Sequence, residues 1–306
     1  MMAAEPIERP RPAHVPVMPD EVTKALAPVA GGIYADVTLG AGGHSAALLL
    51  ACPGARIVAF DRDPAALALA GRRLGERATL VHAAFSELCE RATALGIEQV
   101  DGLIADLGLS SMQLENSARG MSFRLEGPLD MRMDPTRGET AAEMIARLEQ
   151  DELADVIYQL GEERRSRRIA RCIKRALEEG ELTTTLDLRR AVVRAVGPRH
   201  IGGVDPATRT FQALRMAVNH ELDELDALLG AAARLVRPGG SAVFISFHSL
   251  EDRKVKRALL DATLWERLTH KPLTATPDEL ERNARARSAK LRAARRVSDD
   301  FRGAPS

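Results

Sequence analysis

The chain has 306 residues, enough to bury a full hydrophobic core and to form one large domain or two smaller ones. Its formal net charge is zero, so any binding to an acidic polymer must come from local basic patches. Aromatic residues make up only 3% of the chain, which argues against an extended platform for stacking nucleic-acid bases.

Residues 1–13 are rich in proline and charge, and we expect them to form a disordered tail. No apolar stretch has the pattern of a signal peptide or the length to cross a membrane, so the expected location is the cytoplasm. The three cysteines lie far apart, without a CxxC motif or metal-ligand spacing. They favour a reducing compartment and predict neither a disulfide framework nor a metal site.

The segment 33–63 has the pattern of a strand, a tight glycine turn, a helix and a second strand. Gly40, Gly42 and Gly43 form the turn, where a ligand can approach the backbone without meeting a Cβ atom. Asp61 ends the second strand, at the spacing expected of a carboxylate that holds a ribose. The pattern predicts a nucleoside-containing cofactor. The alternative is a packing turn followed by a surface aspartate.

Apolar segments at 78–85, 100–109 and 241–247 have the composition of further buried strands, and 287–297 is a candidate for a last one. Strands that alternate with helices predict an α/β fold with a doubly wound parallel sheet. From 113 to 205 this alternation stops, and apolar residues recur at helical spacing. We therefore expect an inserted all-helical domain.

Two patterns predict where helices begin after the insert. Asp205 and Pro206 have the residue types of an N-cap and N1 pair, which predicts one long helix that runs to about residue 235. Ser249 and Asp252 are spaced roughly as in a capping box for the next helix.

In an open α/β sheet, ligands bind outside the carboxyl ends of the strands. At these ends lie Asp36, Asp61, Phe85, Asp106 and His248. Several of them have a structural alternative: a turn cap for Asp36, a core position for Phe85 and a hydrogen-bonded structural role for His248. Asp106 is the exception, because a carboxylate that ends an apolar strand needs a partner that packing alone does not supply.

Two basic segments indicate a polyanionic substrate, although a solvated helix face explains most such runs. The segments 164–175 and 282–296 each contain seven Lys or Arg residues and no acid. Arg168 and Arg171 lie on the polar side of the first segment and are candidates to bind the substrate. Arg132 lies in GPLDMRMD, an extended segment with a charged face that pairs with a strand edge or reaches the substrate.

Together these motifs resemble the bacterial small-subunit ribosomal RNA (cytosine-N4) methyltransferases, which depend on S-adenosylmethionine. The resemblance covers nearly the whole chain, through HVPVMPDEV, ADVTLGAGGHS, AFDRDP, DGLIADLGLSS, GPLDMRMDPTRG, GEERRSRRIA, DPATRTFQALRMAVNHEL, FHSLEDRKVK and RARSAKLR. It implies a Rossmann-type methyltransferase domain (14–112 and 206–306) that binds S-adenosylmethionine, and a helical insert (113–205) that recognises RNA. The implied reaction is methylation of N4 of a specific cytidine in 16S ribosomal RNA, at the decoding centre.

The resemblance also implies roles for single residues. Those at the cofactor are Gly42, Gly43 and His44 near the methionine part, Asp61 at the ribose, Phe85 beside the adenine, and Asp106 and Gln113 in the rest of the pocket. The chain departs from the family pattern at Met112, Asp205 and Ala284, where the family usually has proline, histidine and proline. The implied partner is small-subunit ribosomal RNA, within the small ribosomal subunit. The sequence leaves open whether naked RNA or the assembled subunit is the substrate, and whether the protein forms a homodimer.

The N4 amine of cytosine is a poor nucleophile, and an acceptor close to its N–H both localises the lone pair and takes the proton. Asp106 is the candidate for this role, with a cofactor contact as the alternative. His248 and Arg132 join Arg168 and Arg171 as candidates to bind the substrate. Two rival functions are an NAD-linked oxidoreductase and a non-catalytic ribosome-assembly factor. The glycine pattern is not GxGxxG, which disfavours the first, and the intact turn and Asp61 disfavour the second.

Overall fold

The computed structural model describes residues 16–198 and 205–297. The tail predicted at 1–13 lies outside these ranges. Within them, no helix is both long enough and apolar enough to span a membrane.

A mixed sheet forms the centre of the domain that was predicted at 14–112 and 206–306. Its strands, in chain order, are β1 (Ile33–Asp36), β2 (Arg56–Asp61), β3 (Ala78–His82), β4 (Val100–Leu107), β5 (Val236–Ser246), β6 (Trp265–Arg267) and β7 (Lys290–Arg296). Over the described ranges these seven strands are ordered β3-β2-β1-β4-β5-β7-β6. β1 to β5 are parallel, while β7 runs antiparallel between β5 and β6. The strand order reverses between β1 and β4, the point at which open α/β sheets bind ligands.

Helices cover both faces of the sheet, because successive strand residues point to opposite sides. Ile57 and Ala59 of β2 face one apolar cluster, and Val58 and Phe60 face the other. The first cluster includes side chains of α1, α2 and α3, and the second those of α4, α11 and α12. The helices are α1 (Pro19–Leu26), α2 (Gly43–Ala51), α3 (Pro64–Leu74), α4 (Leu88–Ala94), α5 (Ser111–Glu115), α6 (Ala141–Arg147), α7 (Gln150–Gly161), α8 (Ser166–Glu178), α9 (Thr185–Val196), α10 (Thr208–Val218), α11 (Glu221–Leu235), α12 (Ser249–Ala258) and α13 (Pro277–Arg282). The prediction of a doubly wound α/β sheet with a helical insert is confirmed.

The helices α6 to α10 share a hydrophobic core of their own. Ile157 of α7, Ile173 of α8, Val192 of α9 and Leu214 of α10 are all fully buried within it. α10 therefore packs with the insert, although it follows the boundary expected at residue 205.

The prediction of one long helix from Pro206 to about residue 235 is wrong. α10 ends at Val218 and α11 begins at Glu221, with His220 between them in the left-handed region at φ 49°. Because that conformation is not helical, the chain changes direction there and leaves the insert for the sheet.

Two expected helix caps are also shifted. Oδ1 of Asp205 accepts a hydrogen bond from the Ala207 N–H, but α10 begins only at Thr208. The capping box of α12 uses His248 and Glu251, one residue earlier than expected. Ser249 donates its hydroxyl instead to Glu162, and Asp252 pairs with Arg292 of β7.

Candidate active site

A cleft lies over the carboxyl ends of β1, β2 and β4, at the switch point of the sheet. It is lined by six of the seven residues assigned to the cofactor, namely Gly43, His44, Asp61, Phe85, Asp106 and Gln113. The seventh, Gly42, is the N-cap of α2.

The glycine turn requires small residues for two different reasons. Gly40 and Gly42 have φ angles of 50° and 73°, which other residues rarely adopt. A Cβ atom on Gly43 would lie 3.0 Å from the Pro16 side chain. The turn brings the first residues of α2 to the cleft, where N–H groups without helical partners can donate to a polar ligand.

Asp61 is held in place by two backbone groups of adjacent loops. Its Oδ2 accepts a hydrogen bond from the Gly40 N–H and its Oδ1 accepts one from the Asp63 N–H, both at 2.8 Å. Burial raises the pKa of Asp61 to about 6, although these two hydrogen bonds lower it. At neutral pH the carboxylate is thus ionised and can accept further hydrogen bonds from hydroxyl groups in the cleft.

Phe85 lies on the wall of the cleft next to α11. It begins a short 3₁₀ turn after β3 and packs against the core of the sheet. The N–H and hydroxyl of Ser86 donate to the Glu224 carboxylate at 2.9 and 2.8 Å, which ties this turn to α11. A flat apolar ring fixed in this way suits the face of a nucleobase.

Asp106 and His44 form a buried pair in the cleft. Nε2 of His44 lies 3.5 Å from Oδ2 of Asp106, and the two side chains are 5% and 13% exposed. Among the described residues, Oδ1 of Asp106 and both ring nitrogens of His44 lack a hydrogen-bond partner. Burial lowers the pKa of His44, but the carboxylates of Asp106 and Asp36 raise it above its ordinary value. The arrangement favours the protonated form of the His44 imidazole.

Gln113 lines the cleft, but its amide is engaged with the protein. Its Oε1 accepts a hydrogen bond from the Ser110 N–H and its Nε2 donates to Asp63, both at 3.0 Å. Arg119 also pairs with Asp63, at 3.1 Å. This network fixes the loop that follows Asp106.

Of the residues expected to bind substrate, Arg132 and His248 are outside the lining of the cleft. Arg132 makes two hydrogen bonds to Asp130, at 2.9 and 2.8 Å. His248 is the N-cap of α12, and its Nε2 lies 3.0 Å from Oε1 of Glu251. In this conformation, both side chains have structural partners.

Arg168 and Arg171 of α8 are exposed, as is Arg164 just before the helix. None of the three is in an ion pair with a described residue, unlike their neighbours. Arg167 pairs with Asp155, Arg175 pairs with Glu179, and Lys174 donates to the carbonyls of Ile145 and Leu148 at the end of α6. The basic face therefore consists of Arg164, Arg168 and Arg171.

Several basic residues of the C-terminal segment 282–296 form ion pairs within the protein and are not free to bind RNA phosphates as its composition suggested. Arg292, Arg295 and Lys290 of β7 are in ion pairs with acidic side chains. Arg285 is different, because it lines the cleft and donates to the Leu109 carbonyl.

The structure brings together one cluster of possible metal-ligand side chains that the spacing of residues in the sequence did not indicate. Glu221, His248 and Glu251 place possible metal-ligand atoms within 4.8 Å of one another, a grouping found nowhere else in the described residues. Arg215 makes two hydrogen bonds to Glu221, at 2.7 and 2.8 Å, and so neutralises part of this charge. Glu251 also accepts a hydrogen bond from the Phe247 N–H at 2.9 Å. These protein partners account for the cluster as part of the contact between the starts of α11 and α12, without a metal ion.

Comparison with known proteins identifies the family. The model of the MraW methylase family matches residues 11–297. A protein of Sorangium cellulosum named ribosomal RNA small subunit methyltransferase H is 66% identical over 296 residues, which are 95% of this chain and 94% of that protein. Proteins with the same name from Bradyrhizobium diazoefficiens and Acidobacterium capsulatum are 49% and 48% identical, over 93% of this chain and 92% and 98% of theirs. The resemblance read from the motifs is thus confirmed, and the chain belongs to the MraW methylase family.

Proposed function

We propose that this protein transfers a methyl group from S-adenosylmethionine to the exocyclic N4 of a cytidine in small-subunit ribosomal RNA. The family and the names of its relatives support methylation of this RNA. The observation that supports an amine as the acceptor of the methyl group is the Asp106 carboxylate. It lines the cleft, and its buried Oδ1 has no hydrogen-bond partner among the described residues. The position at the decoding centre rests on the family resemblance.

The residues of the cleft fit the cofactor. S-adenosylmethionine supplies a methyl group on a positively charged sulfur. Asp61, ionised at neutral pH, can accept hydrogen bonds from the two ribose hydroxyls. Phe85 provides an apolar face for the adenine, and the N-terminus of α2 provides N–H groups for the methionine carboxylate.

Asp106 provides the acceptor that the amine requires. A hydrogen bond from N4 to Oδ1 orients the amine and makes its lone pair more available for attack. As N4 forms its bond to the methyl carbon, Oδ1 takes the proton that N4 gives up. The target base must leave its stack to reach this position.

Arg164, Arg168 and Arg171, on α8 and its preceding loop, have no ion-pair partner in the described part of the chain, and they are proposed to bind phosphates around the displaced base. Contacts of this type position the RNA without reading its sequence. We place the reaction in the cytoplasm, on RNA within the small ribosomal subunit.

The deciding experiment is transfer of a labelled methyl group from S-adenosylmethionine to ribosomal RNA and to isolated small subunits, followed by mapping of the modified base. We expect a single N4-methylated cytidine. Calorimetric titration with S-adenosylmethionine and with NAD tests the cofactor separately. Binding of NAD alone, or binding of S-adenosylmethionine without any transfer, would contradict the proposal.

A further inference from the structure

The His44 imidazole is in an unusual environment for a buried polar group. Its side chain is only 5% exposed, yet neither ring nitrogen has a hydrogen-bond partner among the described residues. Buried polar side chains nearly always have a partner, and those without one often belong to a catalytic site. Oδ2 of Asp106 lies 3.5 Å from Nε2 of His44.

Charged groups from several elements surround this imidazole. Burial has the largest effect on the pKa of His44 and lowers it, whereas Asp106 of β4, Asp36 of β1 and, more weakly, Glu279 of α13 raise it. All three are acidic and favour the imidazolium form. Arg285 is a nearby cation that interacts with the Asp106 carboxylate.

Unlike Asp106, Asp36 has hydrogen-bond partners for both of its carboxylate oxygens. Its Oδ2 accepts the Ser45 hydroxyl at 2.7 Å and its Oδ1 accepts the Thr38 N–H at 3.2 Å, so its carboxylate is fixed beside β1. Asp106 has neither bond on its own carboxylate. Its backbone N–H donates to the Thr38 hydroxyl, which holds only the main chain.

We propose that His44 is a positioning residue for methyl transfer, whose ring, 3.5 Å from Oδ2, holds the Asp106 carboxylate turned so that Oδ1 faces the target amine. This inference rests on the proposed function and adds a role for the His44 side chain. The backbone N–H of His44 stays available to the cofactor, because it belongs to the first turn of α2.

The role follows from the proton balance of the reaction. The N4–carbon bond forms as the carbon–sulfur bond breaks, and the electron pair of that bond remains on sulfur. The amine loses one proton, which Oδ1 accepts. Because Nε2 of His44 lies 3.5 Å from Oδ2, Oδ1 is the oxygen left to accept that proton.

The test compares His44→Asn with the wild type in a methyl-transfer assay over a range of pH. Asparagine is uncharged, and its amide matches the imidazole only at the Nδ1 position, so it removes the group that Nε2 places beside Oδ2 of Asp106. We expect kcat to fall by about tenfold or more, and the acidic limb of its pH profile to move to higher pH. The Kd for S-adenosylmethionine, measured by calorimetry, should change by less than about threefold.

His270→Asn is the control, because His270 is exposed and lies outside the cleft. It should leave kcat, the pH profile and the cofactor Kd unchanged. A His44→Asn variant with wild-type kcat and an unmoved acidic limb overturns the inference. So does a variant whose whole loss lies in the cofactor Kd.

A second measurement needs neither RNA nor a folded His44 variant. Nitrogen-15 NMR of the wild-type imidazoles should show His44 doubly protonated at neutral pH, and Asp106→Asn should shift it toward the neutral form. A neutral His44 in the wild type overturns the inference. A protonated His44 in a protein that transfers no methyl group counts against the proposed function and supports the ion pair.

Discussion

The backbone N–H of Gly40 donates a hydrogen bond to Oδ2 of Asp61, 2.8 Å away. This bond joins the glycine turn after β1 to the carboxylate that ends β2. The two features that predicted a nucleoside site are therefore one connected unit. Because the turn fixes one oxygen of the acid and Asp63 fixes the other, the carboxylate cannot rotate without breaking a hydrogen bond.

Cofactor affinity should depend on pH through Asp61. Its pKa of about 6 lies above the ordinary value because the carboxyl is buried, so it becomes protonated as the pH falls through 6. A protonated carboxyl accepts ribose hydroxyls less well, and the Kd for S-adenosylmethionine should rise on the order of tenfold between about pH 7.5 and 5. Calorimetry over this range measures the effect.

Asp61→Asn is the control for that titration, since its amide keeps one oxygen and does not ionise. It should bind the cofactor weakly, with a smaller pH dependence than the wild type. Parallel pH dependences of Kd in the two proteins would assign the effect to another group.

The spacing of Gly40 and Asp61 made this part of the site predictable, because the two residues belong to one strand–turn–helix–strand unit. The pairing of His44 with Asp106 was not predictable in this way. The two residues lie on separate units of the sheet and approach only where β1 and β4 are neighbours. Arg285 belongs to the basic segment 282–296, which was expected to contact a polyanion. It lines the cleft and donates to the Leu109 carbonyl, a tertiary contact that the composition of the segment does not reveal.

Replacement of Asp106 should impair chemistry more than cofactor binding. Asp106→Ala removes the acceptor of the amine proton, and we expect the rate of methyl transfer to fall by about tenfold or more. Asp106→Asn keeps the shape and tests the loss of charge alone. Single-turnover transfer to the RNA measures the chemical step. Wild-type turnover in either variant would remove the role assigned to this carboxylate.

The basic face of the insert should bind RNA without affecting the cofactor. Changing Arg168 and Arg171 together to Glu reverses two exposed charges that have no ion-pair partner among the described residues. We expect RNA affinity to fall by about tenfold or more at moderate salt, and the dependence of affinity on salt to become shallower. Filter binding of RNA and calorimetry of the cofactor measure the two affinities.

The matched control changes Arg234 and Arg267 to Glu, which alters the net charge equally at exposed positions outside the insert. It should weaken RNA binding much less. An equal loss of RNA affinity in both double variants would mean that the overall charge of the protein, and not the position of Arg168 and Arg171, determines the affinity. Loss of cofactor binding in the Arg168 and Arg171 variant would contradict a separate role for the insert.

The break between α10 and α11 shows why the extent of the insert could not be read from the sequence. Helical periodicity continues across Asn219 and His220, so the pattern predicted one helix. What ends α10 is a tertiary contact. The Asn219 side chain donates to the Met131 carbonyl at 2.7 Å and accepts the Met133 N–H at 2.7 Å. The GPLDMRMD segment is therefore held at the junction of the sheet and the insert.

Asn219→Ala should destabilise this junction strongly. Asn219 is 2% exposed, and its loss leaves the Met131 carbonyl and the Met133 N–H without these bonds in a buried region. We expect the free energy of unfolding to fall by about 2–4 kcal/mol. Asn116→Ala is the control, because Asn116 is exposed and its side chain accepts one hydrogen bond among the described residues, from the Ala118 N–H. Its cost should be about 1 kcal/mol or less. Urea denaturation of both variants measures the difference, and equal midpoints would mean that the Asn219 contacts do not hold the junction together.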